Sequence, residues 1–432
     1  MLQFLIISSL SVLCISAVLN KEVSRIVDAS TSVIRVSTSI KAFNVNGEYQ
    51  LIYPNDVASH LAYLSVTSKG STLTVNAPVM NGNYTIYNVV VSEPTVSLKV
   101  STVFTSMLEP YPAEITQREP QFIRLRENHY FYSPYLTETQ KTSFKLASTS
   151  VESFTKLAPF TTKGSSIQFG PYDNIPPFSV SDVVVHYLNN FPFAKFSTMT
   201  REVEVSHWGN IAVEEIFELQ HAGAKLSGGF SRIDYQMMRS GPGATPSFRS
   251  LVTTLPAQSS NIYYRDQIGN ISTSDMKLLP TGEIELELQS RFPIFGGWKT
   301  QFYLGYSMPT ENSLTKDASD RYNLKFDFFP AFDNVWVEEM ELKVVLPEGC
   351  EDIVVDAPYP VELSQTKRFT YLDSELNGGR PVLVLRARNL VPEHDKQVHV
   401  SYSFKQPRML VEPMMLVSTF FVLFLLSTLL SR

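Results

Sequence analysis

The groups best able to do chemistry in this 432-residue chain are seven histidines, two cysteines and a pair of adjacent carboxylates. His394 and His399 lie close together, flanked by Glu393 and Asp395. That spacing admits a metal site, but it also suits polar residues around a turn entering the Val398 strand, which is the favoured reading. Glu214-Glu215 would serve acid/base chemistry only if both carboxylates converged; on a strand, adjacent side chains point to opposite faces. Cys350 follows Leu346-Pro347-Glu348-Gly349 with no histidine nearby in sequence, which argues against a catalytic thiol. His207-Trp208-Gly209-Asn210 reads as a packed turn rather than a binding cluster. Arg265-Asp266 is expected to form an ion pair near a turn. No phosphate loop, dinucleotide glycine fingerprint or nucleophile elbow occurs. The reading is therefore no catalytic, cofactor-binding or metal residues.

One ten-residue block stands apart: Arg291-Phe292-Pro293-Ile294-Phe295-Gly296-Gly297-Trp298-Lys299-Thr300. Proline removes a ladder donor and paired glycines loosen the backbone, so no regular element suits it. The combination predicts a bend or bulge at a sheet end in the second half, with Phe292, Phe295 and Trp298 anchored in a core. Gly296-Gly297 would supply backbone freedom. It is read as a structural anchor, with no sugar-binding site placed there.

Alternation dominates the elements that must hold these residues. Val96, Leu98 and Val100 alternate with Ser97 and Lys99; Ile284, Leu286 and Leu288 alternate with Glu285 and Glu287; Val398, Val400 and Tyr402 alternate with His399 and Ser401. Period two with one apolar face means half-buried antiparallel strands. Asn81-Gly82-Asn83, Pro280-Thr281-Gly282 and Asn377-Gly378-Gly379 punctuate them as turns, and Ser240 to Ser247 reads as a surface loop. Long capped helices are hard to find before the tail. The class is all-β: two tandem β-sandwich domains, 18–199 and 200–408, followed by one C-terminal transmembrane helix. Arg25-Ile26-Val27-Asp28-Ala29-Ser30 resembles Arg201-Glu202-Val203-Glu204-Val205-Ser206, a hint of internal duplication.

The ends fix topology. Residues 1–17 are uncharged and mostly apolar, with Ser16-Ala17 before Lys21, a cleavable signal pattern lacking a basic start. Residues 413–431 form an uncharged apolar run, long enough to span a bilayer. Together they predict a single-pass type I protein with the bulk of the chain lumenal and residue 432 at a cytosolic end. A glycosylphosphatidylinositol signal would need a small-residue triplet that Tyr402 to Leu410 does not offer. The net charge of -6 comes without a basic patch and argues against nucleic acid as a partner. Cys14 lies in the signal, so the mature chain has one thiol and no internal disulfide. Asn83-Tyr84-Thr85 and Asn270-Ile271-Ser272 are possible N-glycosylation sites.

Several unusual blocks occur in one order: Pro110-Tyr111-Pro112, Asn128 to Tyr135, Glu204 to Glu215, Gly229 to Gln236, Tyr263 to Ser274, the block at 291–300 and Leu346-Pro347-Glu348-Gly349. From about residue 108 to the span, and more faintly from residue 24, the chain resembles the ribophorin I family. That resemblance implies the large non-catalytic subunit of the oligosaccharyltransferase complex in the endoplasmic reticulum membrane. That complex transfers a dolichyl-diphosphate-linked oligosaccharide en bloc to Asn of Asn-x-Ser/Thr in nascent proteins. It implies as partners the catalytic multi-span STT-family subunit, other subunits including a small two-helix membrane one, and nascent polypeptides. It implies no cofactor. The chain is expected to be the short form without the cytosolic helical tail of animal-type members. The rival reading is a cell-surface adhesion or receptor β-sandwich protein; a lumenal hydrolase is a third class.

Overall fold

The computed structural model describes residues 18–237, 246–330, 332, 334–370, 373 and 378–431. The expected signal segment 1–17, most of the 240–247 loop, Asn377 of one expected turn and Arg432 lie outside the described residues.

The first strand shows how the sequence builds the fold. In Leu19–Ala29, Val23, Arg25, Val27 and Ala29 are buried while Ile26 and the polar neighbours face outward, so one face is committed to a core. This strand pairs antiparallel with Ile34–Phe43 and in parallel with Leu136–Leu146. It lies within an eight-stranded sheet that also holds Ser166–Ile175, Phe160–Lys163, Val96–Phe104, Leu61–Ser68 and Ser71–Thr72. Two smaller sheets cover its inward face. One comprises Val151–Phe154, Asp182–Leu188, Phe122–Asn128 and Leu108–Pro110; the other comprises Glu48–Pro54, Tyr84–Val90 and Val79–Asn81.

The second half repeats this plan. Ala194–Ser206 pairs antiparallel with Asn210–His221 and in parallel with Trp336–Val345. Arg380–Leu390, Glu362–Arg368, Lys299–Pro309 and Ser260–Asp266 complete a seven-stranded sheet. Phe248–Leu255, Ile284–Ile294 and Asp275–Leu278 form one covering sheet; Leu314–Lys316, Arg321–Asp327, Gln397–Ser403 and Glu351–Asp356 form the other. Among the described residues, every strand has a counterpart in the same chain order and with the same sheet neighbours, apart from Ser71–Thr72 and the pair Glu114–Ile115 with Lys225–Leu226. The opening strands even carry the same bulge, between Asn20 and Glu22 in one and between Phe196 and Thr198 in the other. That register makes Arg25 the counterpart of Arg201, the alignment suggested by the short sequence repeat.

The expected boundary at 199/200 falls inside the strand Ala194–Ser206, so the join lies between Leu188 and Ala194. Flanking residues, rather than a composition shift, mark it: Asn189 and Phe193 are both buried. Two seams tie the halves. At one, Val33, Val103, Trp336 and Val391 form a small apolar cluster beside the Arg35–Glu393 ion pair at 2.7 Å. At the other, Lys225–Leu226 pairs in parallel with Glu114–Ile115.

Among the described residues, helix before the tail is limited to Asn55–Ala58, Arg232–Met237 and short 3-10 turns. The tail itself is a 3-10 stretch, Gln406–Leu410, running into the helix Val411–Leu430. Its apolar side chains lie exposed, and the combined segment is long and apolar enough to cross a membrane.

Candidate functional site

The block at 291–300 closes the second seam. The register against Phe248–Leu255 skips between Gln289 and Ile294, and Ser290 Oγ donates to the carbonyl oxygens of Arg249 or Phe292 at 2.9 Å, so the strand bends before Pro293. Pro293, Ile294, Phe295 and Gly296 are buried. A Cβ on Gly296 would overlap the Ala224 carbonyl, which explains glycine there. Gly297 turns the chain at φ +81 and donates its N–H to the His221 carbonyl at 2.9 Å. The Phe295 and Trp298 rings lie 5.5 Å apart, and Phe230 packs on both at 5.8 and 5.7 Å. Phe292, expected in the core, instead stays exposed at 40% with its ring edge toward Trp298, because the bend turns it outward.

The segment gripped by this block reaches into the first half. Ala224 N–H donates to Gln121 Oε1 at 2.8 Å, Lys225 N–H to the Ala113 carbonyl, and Ser231 N–H to Gln117 Oε1. His221 sits behind it, 1% exposed. Its Nε2–H faces the Pro246 carbonyl while Nδ1 accepts from Gly223 N–H, and burial lowers its pKa to about 4. The neutral ring is the form that satisfies both contacts.

The His207 turn splits its residues. His207 stacks on Phe404 at 4.3 Å, meets Tyr322 edge-on at 4.5 Å, and lies 3.2 Å from the Tyr402 hydroxyl. Burial lowers its pKa to about 4. Trp208, expected to pack, is 64% exposed, because Gly209 at φ +101 turns the chain away from the core.

Other expected groups are dispersed. Glu214 and Glu215 do face opposite ways: Glu214 accepts from the Tyr263 hydroxyl at the surface, whereas Glu215 is fully buried. Arg265 and Asp266 do not pair; Asp266 binds Arg291, and Arg265 donates to Asn270 Oδ1 at 2.6 Å. His394 lies in a 3-10 turn ahead of the Val398 strand, Pro392–His394, and is buried there, 5.3 Å from Tyr63 and 5.0 Å from Tyr359. Burial pushes the Cys350 thiol up to about 12, too high for a nucleophile at neutral pH. Among the described residues no group of three or more His, Cys, Asp or Glu side chains is placed to hold a metal. Both sequon asparagines are exposed, Asn83 on a turn and Asn270 at a β-bridge with Arg265.

Sequence reasoning missed the two buried arginines. Arg25 reaches from the long sheet to one covering sheet of the first half, with Nη2 3.1 Å from Glu127 and Nη1 donating to the Asn128 carbonyl at 2.8 Å. Beside it opens a cavity of about 320 Å³ lined by Tyr53, Phe104, Tyr130 and Tyr132. Tyr132, Tyr84 and Phe178 cluster at its rim with ring separations of 5.8 to 6.3 Å. In the second half, Arg201 Nε lies 3.3 Å from Glu215 and Nη2 donates to the Tyr306 hydroxyl at 3.2 Å, with the pair 3% and 0% exposed. Burial pushes the Glu215 carboxyl up, and Arg201 opposes that shift. The available signal was an arginine at an inward position of an alternating strand in both copies of the repeat.

The chain matches the family model described as Ribophorin I over residues 18–431. It is 38% identical to dolichyl-diphosphooligosaccharide--protein glycosyltransferase subunit 1A of Arabidopsis thaliana, covering 98% of this chain and 72% of that one. It is also 38% identical to subunit 1 of Caenorhabditis elegans, covering 95% and 71%. Among solved structures, an M1 zinc metallopeptidase from Deinococcus radiodurans aligns over 49% of this chain and 42% of its own at 11% identity, with a TM-score of 0.29, too loose to bear on function. The match across both halves and the tail places this chain in the ribophorin I family.

Proposed function

We infer that this chain is a subunit of the dolichyl-diphosphooligosaccharide–protein glycosyltransferase complex, supporting transfer of the lipid-linked oligosaccharide to asparagine in protein N-glycosylation. The observation that carries this reading is the family match over both β halves and the apolar helix, together with the identity to relatives named as subunit 1 of that enzyme. We propose a non-catalytic role. Burial of Glu215, Cys350, His221 and His394 in structural contacts supports it, since none is presented to a substrate.

In this reading the chain enters the endoplasmic reticulum behind residues 1–17, keeps its two tandem sandwich units lumenal and is held by the C-terminal helix. The two units meet at 189–193, not at 199/200 as first expected. The helix packs against membrane subunits, a small two-helix partner among them, and the lumenal units hold the catalytic multi-span STT-family subunit and line the path of nascent polypeptide. Gentle purification should recover the catalytic subunit with this chain, and depletion should leave sequons of secreted glycoproteins under-occupied. Full occupancy after complete loss, with no paralogue present, would overturn the reading.

A further inference from the structure

We propose that the end of the second half from which the chain enters the helix rests on the lumenal phospholipid surface, with Trp208 and Phe369 seated at the headgroup level. The proposal rests on the membrane-span reading of Val411–Leu430. Three observations lead to it.

First, the tip carrying Trp208 is fixed to the start of the helix. His207 is wedged against Phe404 and Tyr322, and Phe404 directly follows the strand Gln397–Ser403. The connecting stretch Gln406–Leu410 is itself tied down: the Arg408 guanidinium donates to the Gly349 carbonyl and lies 2.9 Å from Glu351, while Met409 packs on the core. Gly349, at φ +80, has no room for a Cβ beneath that guanidinium. The five residues of this 3-10 stretch, at about 2 Å rise each, put only roughly 10 Å between Lys405 and the helix start.

Second, the strand register brings another exposed aromatic to the same end. Glu204 pairs with Val345, Val345 with Val382, and Val382 with Thr366. Running on past that rung, the edge strand Glu362–Arg368 reaches Phe369 and the central strand Ala194–Ser206 reaches Trp208. These rings are 56% and 64% exposed, and Leu410 at the head of the helix is 55% exposed.

Third, the chemistry fits a bilayer interface. An indole carries an apolar body and one N–H donor, which is why tryptophan settles at headgroup depth. Lys405 lies exposed immediately before the 3-10 stretch, where lipid phosphates would face it. A rigid turn that presents tryptophan costs little ordering on contact. Continuity with the span favours lipid over a protein partner as the occupant.

The test uses the intact complex in phosphatidylcholine nanodiscs, with Trp208→p-benzoylphenylalanine, Phe369→p-benzoylphenylalanine and, as control, Ile233→p-benzoylphenylalanine. Ile233 is 65% exposed but lies beyond His221, at the opposite end of the long sheet. After irradiation, phospholipid adducts should form on the peptides containing 208 and 369 and not on that containing 233. Polypeptide adducts at 208 and 369, or no phospholipid adduct at either, overturn the proposal. Alkaline carbonate extraction of the same complex separates the two readings. Release of the chain removes the span reading and this proposal with it; retention without phospholipid adducts removes this proposal alone.

Discussion

The two halves place an arginine at the same register of the same strand and enclose it differently. Around Arg25 the covering sheets stand apart. The first half therefore has two apolar cores, one holding Val27 and Ile34 and the other Val23 and Ile40, with a cavity between. Around Arg201 the covering sheets meet, and Met199, Val203, Leu286 and Val400 belong to one continuous core. Register explains the switch: the residue opposite Arg25 is Thr38, whereas the residue opposite Arg201 is Glu215. A carboxylate from the same sheet lets the second arginine be sealed. The first must take its partner, Glu127, from the covering sheet. One duplicated fold thus yields a solid unit next to the apolar helix and a hollow one away from it.

If that contrast is correct, the largest effect comes from Glu215→Ala, which leaves Arg201 buried without its carboxylate. We expect a loss of about 3–5 kcal/mol, seen as a lower unfolding temperature of the second half in detergent. Glu127→Gln, the matching change in the first half, should cost only about 1–2 kcal/mol, because Arg25 keeps the Asn128 carbonyl and the cavity admits water. Equal losses would mean that the two arginines are equally enclosed.

Acid should separate the halves next. His221 is neutral when folded, with its pKa depressed from about 6.5 to about 4, so the unfolded chain binds the extra proton. The stability this histidine contributes is fully present above about pH 6.5 and falls as pH drops toward 4, by about 3 kcal/mol in all. Denaturation midpoints measured between pH 7 and 4 should show this slope, and His221→Gln should reduce it, the remainder coming from His207 and His394, whose pKa values burial also lowers to about 4. The smallest effect belongs to the outer face of the seam: Arg118→Ala, which removes the exposed pair with Asp234, should leave the unfolding temperature unchanged at physiological salt.

Much of this architecture was legible in local pattern. Strict alternation announced the strands, and the short repeat at Arg25 and Arg201 hinted at equivalent strands, whose shared bulge is visible only in the pairing. The Pro-Gly-aromatic block marked a bend, since those residues exclude regular elements. What stayed hidden depends on pairing between distant strands. Nothing near Leu19–Ala29 specifies its parallel neighbour Leu136–Leu146, and nothing near Arg25 specifies a cavity. Phe292 and Trp208 look like core residues by type, yet a bend and a tight turn expose them. His394 looks polar by its acidic neighbours and is buried because Tyr63, from the other half, covers it.

The parallel pairing at the centre of each long sheet also governs the order in which the chain can fold. Asp28 of the first strand meets Lys145 of its parallel neighbour 117 residues later, and Lys195 of the second unit meets Glu338 after 143. During synthesis each opening strand must wait, with one edge unpaired, until that distant partner emerges. Such non-local closure is slow and leaves a sticky edge exposed in the meantime. The first unit holds all the strands of its three main sheets before Ala194, so it can close while the second is still being made. The second completes only with Gln397–Ser403, just ahead of the apolar helix, so it cannot close until the chain has been made almost to that helix.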